Sequence, residues 1–237
     1  MSIAHLSLDA PTIEFCVSDG NGGFFGPVLG SIGLAKGLAY RQVLAHIPIS
    51  AGPSTYRLVP IDATSCDVPL KDSLDSVITV APNKAYTFMV IGQSNPPSDA
   101  KAIQVKSIED DPARASGKLD LRFVNLSPGA PGLDFGTGSD NAFMPLALDV
   151  AYSFTSMVAG SSFLGMDPSV DATLSVRVHG TATDALVASK VSLASGSIMT
   201  AYALSNSSGS MSPSELLLCD AALPPKNYTF IQCSVVP

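Results

Sequence analysis

Leu6-Ser7-Leu8-Asp9-Ala10-Pro11-Thr12-Ile13-Glu14-Phe15 returns further along the chain as Leu126-Ser127-Pro128-Gly129-Ala130-Pro131-Gly132-Leu133-Asp134-Phe135. Position 6 maps to 126 and position 15 to 135, so the displacement is a constant 120 residues. The shared pattern is Leu-Ser, then Ala-Pro, then an aliphatic residue, an acid and a phenylalanine. A second echo follows in the same order. Val80-Ala81-Pro82-Asn83-Lys84-Ala85-Tyr86-Thr87-Phe88 resembles Leu193-Ala194-Ser195-Gly196-Ser197-Ile198-Met199-Thr200-Ala201, now displaced by 113, as loops that changed length after a duplication would give. A unit of about 115 residues has the size of a sandwich domain and not of a solenoid repeat.

The segments between these echoes read as strands. Leu121 to Leu126, Tyr86 to Ile91 and Leu174 to His179 are short, rich in β-branched or aromatic residues, and bounded by Gly, Pro, Asn and Ser. In the last of these, Leu174, Val176 and Val178 share one face while Ser175, Arg177 and His179 share the other. Further strands are expected at Thr55 to Pro60, Ser76 to Val80 and Lys190 to Leu193. Val28 to Ile47 is the one helix-like stretch, but Gly30, Gly33 and Gly37 interrupt it at about 1 kcal/mol each. It reads as a loop followed by a strand over Leu38 to Ile47. Many short strands with frequent turn signals predict an all-β chain of two tandem antiparallel sandwiches. The polar run Ser107 to Lys118, with Pro112 and Gly117, suits a linker, which places the repeats at 1–117 and 118–237.

Composition narrows the partners. Only 14% of residues are charged and the formal net charge is −7, without any run of Lys and Arg. A phosphate backbone needs a basic stripe, so nucleic-acid binding is disfavoured. No segment offers the long uninterrupted apolar run that spans a bilayer. Met1 to His5 lacks a basic start followed by an apolar stretch, so export would require a leader already removed.

Cys16, Cys66, Cys219 and Cys233 contain no CxxC pair, and His5, His46 and His179 lie far from them in sequence, so a zinc site is disfavoured. Two disulfides are the preferred reading. Of the three connectivities, Cys16–Cys66 with Cys219–Cys233 keeps each bridge inside one repeat. The second would close a loop of about 15 residues, worth roughly 3 kcal/mol in the chain-entropy model. Four buried free thiols in a cytosolic protein are the alternative.

The Leu-Ser-x-x-Ala-Pro-x-aliphatic-acid-Phe element resembles the opening of a bacterial family, the domain of unknown function numbered 4397. Leu121 to Pro131, with its Ser-Pro-Gly-Ala-Pro turn, is the closer copy, whereas the first copy carries Leu8 where proline is usual. Val80-Ala81-Pro82 to Thr87 is similar to the family's second recurrent element. The resemblance implies an immunoglobulin-like sandwich, often in tandem and usually in exported or cell-surface proteins. It brings no catalytic residues with it.

Sites of chemistry are hard to assemble from what remains. There is no G-x-S-x-G elbow for a serine hydrolase, and His179 near Asp184 reads as a surface histidine at a strand end. Gly26-Pro27-Val28-Leu29-Gly30 lacks the lysine of a phosphate-binding loop. Asp19-Gly20-Asn21-Gly22, with Asp140-Asn141 in the second copy, offers oxygens for calcium, but a hairpin turn is the preferred reading. Glu109-Asp110-Asp111 reads as solvated linker. Asn125, Asn206 and Asn227 open glycosylation patterns that carry no weight in a bacterium. Phe24-Phe25 either folds back on the core or joins a contact surface.

The resulting expectation is a non-catalytic, cofactor-free and metal-free protein of the cell surface or extracellular space. It would be structural or adhesive and would contact other proteins, copies of itself included. A carbohydrate- or ligand-binding module is the alternative, weakened by the absence of tryptophan and by only 7% aromatic residues.

Overall fold

The computed structural model describes residues 1–34, 36–45, 47–113, 115–156, 161–205, 210–221 and 229–236. The first eight strands are β1 (Ser2–His5), β2 (Ile13–Ser18), β3 (Phe24–Phe25), β4 (Val43–Ala45), β5 (Gly52–Pro60), β6 (Ser76–Val80), β7 (Ala85–Ile91) and β8 (Gln104–Asp110). They form two sheets, β4-β1-β7-β8 and β3-β2-β5-β6. The next eight are β9 (Leu119–Leu126), β10 (Leu133–Thr137), β11 (Met144–Val150), β12 (Leu164–Met166), β13 (Ser169–Val178), β14 (Asp184–Leu193), β15 (Ile198–Leu204) and β16 (Glu215–Asp220). Their sheets are β12-β9-β15-β16 and β11-β10-β13-β14. Every strand of the first set maps onto the strand eight places later. The chain is therefore all-β and built from two immunoglobulin-like sandwiches.

Two further strands extend this scheme. β17 (Thr229–Phe230) pairs with β4, and β18 (Gln232–Val236) pairs with β16. By contacts the chain divides into Met1–Glu109 with Pro225–Phe230, and Asp110–Pro224 with Ile231–Pro237.

The register repeats residue by residue. Phe15 lies opposite Leu58 and Phe135 opposite Val176, in antiparallel pairs. Ser2 lies beside Thr87 and Arg122 beside Thr200, so the displacements of 120 and 113 seen in the sequence meet across one strand pair. That pair, β1 with β7 and β9 with β15, is parallel in both repeats, a departure from the purely antiparallel expectation. Sequence alternation reports which face is buried but not which way a neighbouring strand runs.

Each sandwich has its own core. Phe15, Phe88, Leu58 and Leu44 anchor the first, with Tyr56 edge-on to Phe88 at 5.0 Å between ring centres. Phe123 stacks on Phe135 at 4.8 Å in the second, among Leu121, Leu174, Val176 and Leu216. Such rings bury the largest apolar areas available to a sandwich lacking tryptophan.

Two local expectations change. Val28 to Ile47 contains one helical turn, α1 (Val28–Ser31), and a strand of three residues only, β4. Arg41 takes a left-handed φ of 67°, which ends any strand begun at Leu38, and Leu38 instead makes a lone bridge to Ile13. The expected linker also shortens at its start: Ser107 to Asp110 belong to β8, and the contact division falls after Glu109 instead of Gly117.

Candidate functional site

The polar positions of the repeated motif all point into the structure. Ser7 Oγ donates to the Gly92 carbonyl at 2.9 Å, and its equivalent Ser127 bonds the Ser205 hydroxyl, 113 residues beyond Gly92. His5 Nε2 donates to the Pro11 carbonyl at 2.8 Å. Asn125, its equivalent, donates to the Val150 carbonyl and accepts the Ser127 N–H, each at 2.9 Å. These contacts tie the end of the first strand and the turn after it to the end of the parallel neighbour, β7 or β15, and through Asn125 to β11. A buried polar group is costly unless hydrogen-bonded, so this is what the motif's serine and its partners supply.

The motif's acid serves the same end. Glu14, 3% exposed, accepts the N–H of Leu29 at 2.9 Å and so satisfies a donor of α1. Burial pushes its carboxyl above the ordinary value, against the N–H groups of Leu29, Phe15 and Gly30 that hold it down. Asp134, the equivalent acid, accepts the Asp149 N–H at 2.8 Å and faces His179 Nδ1 at 2.8 Å. His179 sits diagonally from Asp134 across β10 and β13, and its N–H donates to the Gly132 carbonyl. The Asp134 hydrogen bond, then its charge, raises the His179 pKa. Asp149 has a φ of 50° beside a register shift in the β10–β11 pairing, and its carboxylate occupies the place a Cβ would take at Gly132.

Beside this couple, β11 and the segment Ala151 to Ser156 form the two lips of a groove of about 660 Å³ in the second sandwich. Asn125 N–H donates to the Phe154 carbonyl and Ser156 N–H to that of Phe123, so one lip belongs to the β9 sheet and the other to the β10 sheet. The lips expose Leu148 at 60% and Phe154 at 65%, with Met144 at 64% at the start of β11. The lining combines apolar side chains with Asp149, Thr155, Ser156 and main-chain groups, so polar and apolar surface are exposed in nearly equal measure. It carries one aromatic ring and, among the described residues, no hydroxyl bonded to His179. The chemistry it offers is apolar contact with a strand edge beside it.

The remaining candidates resolve into structural partners. Cys16–Cys66 and Cys219–Cys233 are disulfides, and no cysteine is free. The first packs with Val59 and Phe24. The second joins directly opposite residues of β16 and β18. Asp184 does not meet His179. It binds Arg177 at 2.5 Å and accepts the Asp140 N–H, and these hold its carboxyl below the ordinary value although burial works against them. The Asp19 carboxylate accepts the N–H groups of Asn21 and Gly23, an Asx turn within the β2–β3 hairpin. Among the described residues no three His, Cys, Asp or Glu side chains converge as a metal site would need, and no helix is long and apolar enough to cross a membrane. Phe24 lies under the Arg57 guanidinium at 4.0 Å, whereas Phe25 is 55% exposed. Asn206 and Asn227 lie outside the described residues, as does His46.

The acidic triplet is not solvated linker. Glu109 pairs with Lys84, Asp110 with Arg122 at 2.8 Å, and Asp111 accepts the Ser162 hydroxyl. Arg122 is 2% exposed, lies over the Phe163 ring and donates to Thr200 Oγ1. The sequence signals neither this buried arginine nor the Asp134–His179 couple. Both depend on which strands are neighbours, although Asp134 already stands at the acid position of the motif.

Fold and site together define a tandem immunoglobulin-like sandwich protein whose repeated polar residues serve its own architecture. The chain belongs to the family described as domain of unknown function DUF4397, whose model matches residues 1–136. The match covers the first sandwich up to β8 and runs on to Gly136 in β10, and the second sandwich repeats the same strand order from β9 onward. No curated protein matches the chain.

Proposed function

We propose that this protein is a non-catalytic structural or adhesive module of the cell surface or extracellular space, acting through protein–protein contacts that include self-association. The observation that carries the reading is the groove along β11, with Leu148 and Phe154 exposed on its lips, in a chain whose motif polar groups are engaged internally. Monomeric proteins keep such apolar patches small, and a strand at a sheet edge offers backbone groups to another chain. The two disulfides favour an oxidising compartment, where such bonds persist. The test is light scattering on a sizing column over a concentration series, with and without reductant, followed by negative-stain microscopy. Mass above 24.4 kDa that grows with concentration is the expected result. A constant monomer mass and featureless grids would remove self-association.

A further inference from the structure

The buried residue just before the shared motif is titratable in one repeat and not in the other. His5, 0% exposed, donates from Nε2 to the Pro11 carbonyl, which puts the proton of the neutral ring on that nitrogen. Nδ1 is buried and has no hydrogen-bond partner. In the second repeat the same position is Asn125, whose amide is satisfied at both ends and does not titrate. The backbone around His5 is also fixed on both sides. Its N–H donates to the Gln42 carbonyl, its carbonyl accepts the Arg41 N–H, and the Leu6 N–H donates to the Val90 carbonyl.

A second proton on His5 would have to enter at Nδ1. Burial opposes it more strongly than the backbone hydrogen bonds to Pro11 and Ala10 favour it. The Tyr40 ring stands edge-on at 6.2 Å, and the Arg41 guanidinium, itself a cation, lies over Tyr40 at 4.9 Å. From β7 the register partner is Val90. From the turn come the Ala10 and Pro11 backbone and Asp9, whose carboxylate accepts the Ser94 N–H at 3.0 Å. The imidazolium therefore forms more readily once the turn has opened to water.

The histidine of the second repeat, His179, lies elsewhere, just after β13. His179 is half-exposed, with Nδ1 on the Asp134 carboxylate. There, protonation strengthens an existing contact instead of requiring its loss.

We propose that the tandem is an asymmetric acid sensor: as pH falls, the first sandwich opens at the β1–β2 turn while the second stays closed. The signs agree with the geometry. Burial lowers the His5 pKa, so its neutral form stabilises the fold above about 6.5 and that stability is lost as pH falls through the lowered value. The Asp134 hydrogen bond raises that of His179, so its contribution is present below about 6.5 and lost as pH rises. Glu14, pushed up by burial, favours the first sandwich on acidification, and Asp184, held below its ordinary value, weakens the second at lower pH; both act against the selectivity, so a His5 variant must isolate its part.

The experiment is hydrogen exchange with mass spectrometry on the full oxidised chain, from neutral pH down to the ordinary carboxylate range and corrected for intrinsic exchange rates. The expected result is a selective loss of protection, tenfold or more, in peptides covering residues 2–18, 38–45 and 86–91, with residues 119–137 unchanged. His5→Asn, which places the second repeat's residue in the first, abolishes the selectivity. Because that variant can fail to fold, nitrogen NMR of the wild-type histidines provides an independent readout. It should show His5 as the Nε2–H tautomer, titrating below the ordinary histidine value. Equal loss of protection in both repeats, selectivity that survives His5→Asn, or a His5 that titrates at or above the ordinary histidine value would overturn the proposal.

Discussion

Reducing the two disulfides separately should weaken the two sandwiches by unequal and calculable amounts. Cys16–Cys66 spans 50 residues and Cys219–Cys233 spans 14. The chain-entropy relation gives about 4 kcal/mol for the first loop and about 3 kcal/mol for the second. Each bridge lies inside one contact unit, so the losses fall on different sandwiches. A domain of this size holds only about 5–15 kcal/mol in total, so loss of one bridge removes a large part of the reserve. Cys16→Ala/Cys66→Ala and Cys219→Ala/Cys233→Ala should therefore be compared with the oxidised parent by urea unfolding, followed by near-UV circular dichroism and by hydrogen exchange resolved to each sandwich. The first variant should unfold residues 1–109 at lower urea with residues 110–221 little changed, and the second should do the reverse by a smaller step. If both variants stay within about 1 kcal/mol of the parent, the bridges do not hold these cores and the argument for an oxidising compartment loses its energetic basis.

Glu14→Ala strands the Leu29 and Phe15 N–H donors and should cost about 1–3 kcal/mol, measured as a fall in Tm. Glu14→Gln keeps an acceptor without the buried charge. Because the raised pKa of Glu14 means that its contribution is lost as pH rises through that value, Glu14→Gln should match or exceed the parent at neutral pH. Arg122→Ala should cost about 3–5 kcal/mol, since it leaves Asp110 and Thr200 without their buried donor. Arg122→Met with Asp110→Leu should recover more than half of that loss in the same urea assay. Asp134→Asn should return the His179 pKa toward its ordinary value, as followed by the ring-proton shift, with little change in Tm near neutral pH.

Much of the fold was legible because alternation and repetition are local. Leu174 and Val176 are 1% exposed, as the pattern implied, but Ser175 between them is equally buried, its hydroxyl donating to the Gly138 carbonyl. The 120- and 113-residue displacements returned as register partners in the parallel pairs. What stayed hidden depends on neighbours that the sequence does not name. Nothing in Leu119 to Leu126 tells that its strand runs parallel to β15, or that Arg122 meets Asp110 from the foregoing acidic run. Val28 to Ile47 misled because its glycines argued against a helix, whereas one turn forms where Glu14 caps it. The site was the least legible part. Met144 to Val150 drew no strand expectation, and only the sheet order reveals it as an edge beside Phe154.

Contact with other chains along the β11 groove is the proposed role of this surface. Light scattering of the oxidised protein beside Leu148→Glu tests it directly, since residue 148 is 60% exposed and a charge there leaves the core untouched. The account predicts concentration-dependent mass above 24.4 kDa for the parent and a monomer for the variant, with equal Tm. The same mass for both proteins at every concentration would contradict it.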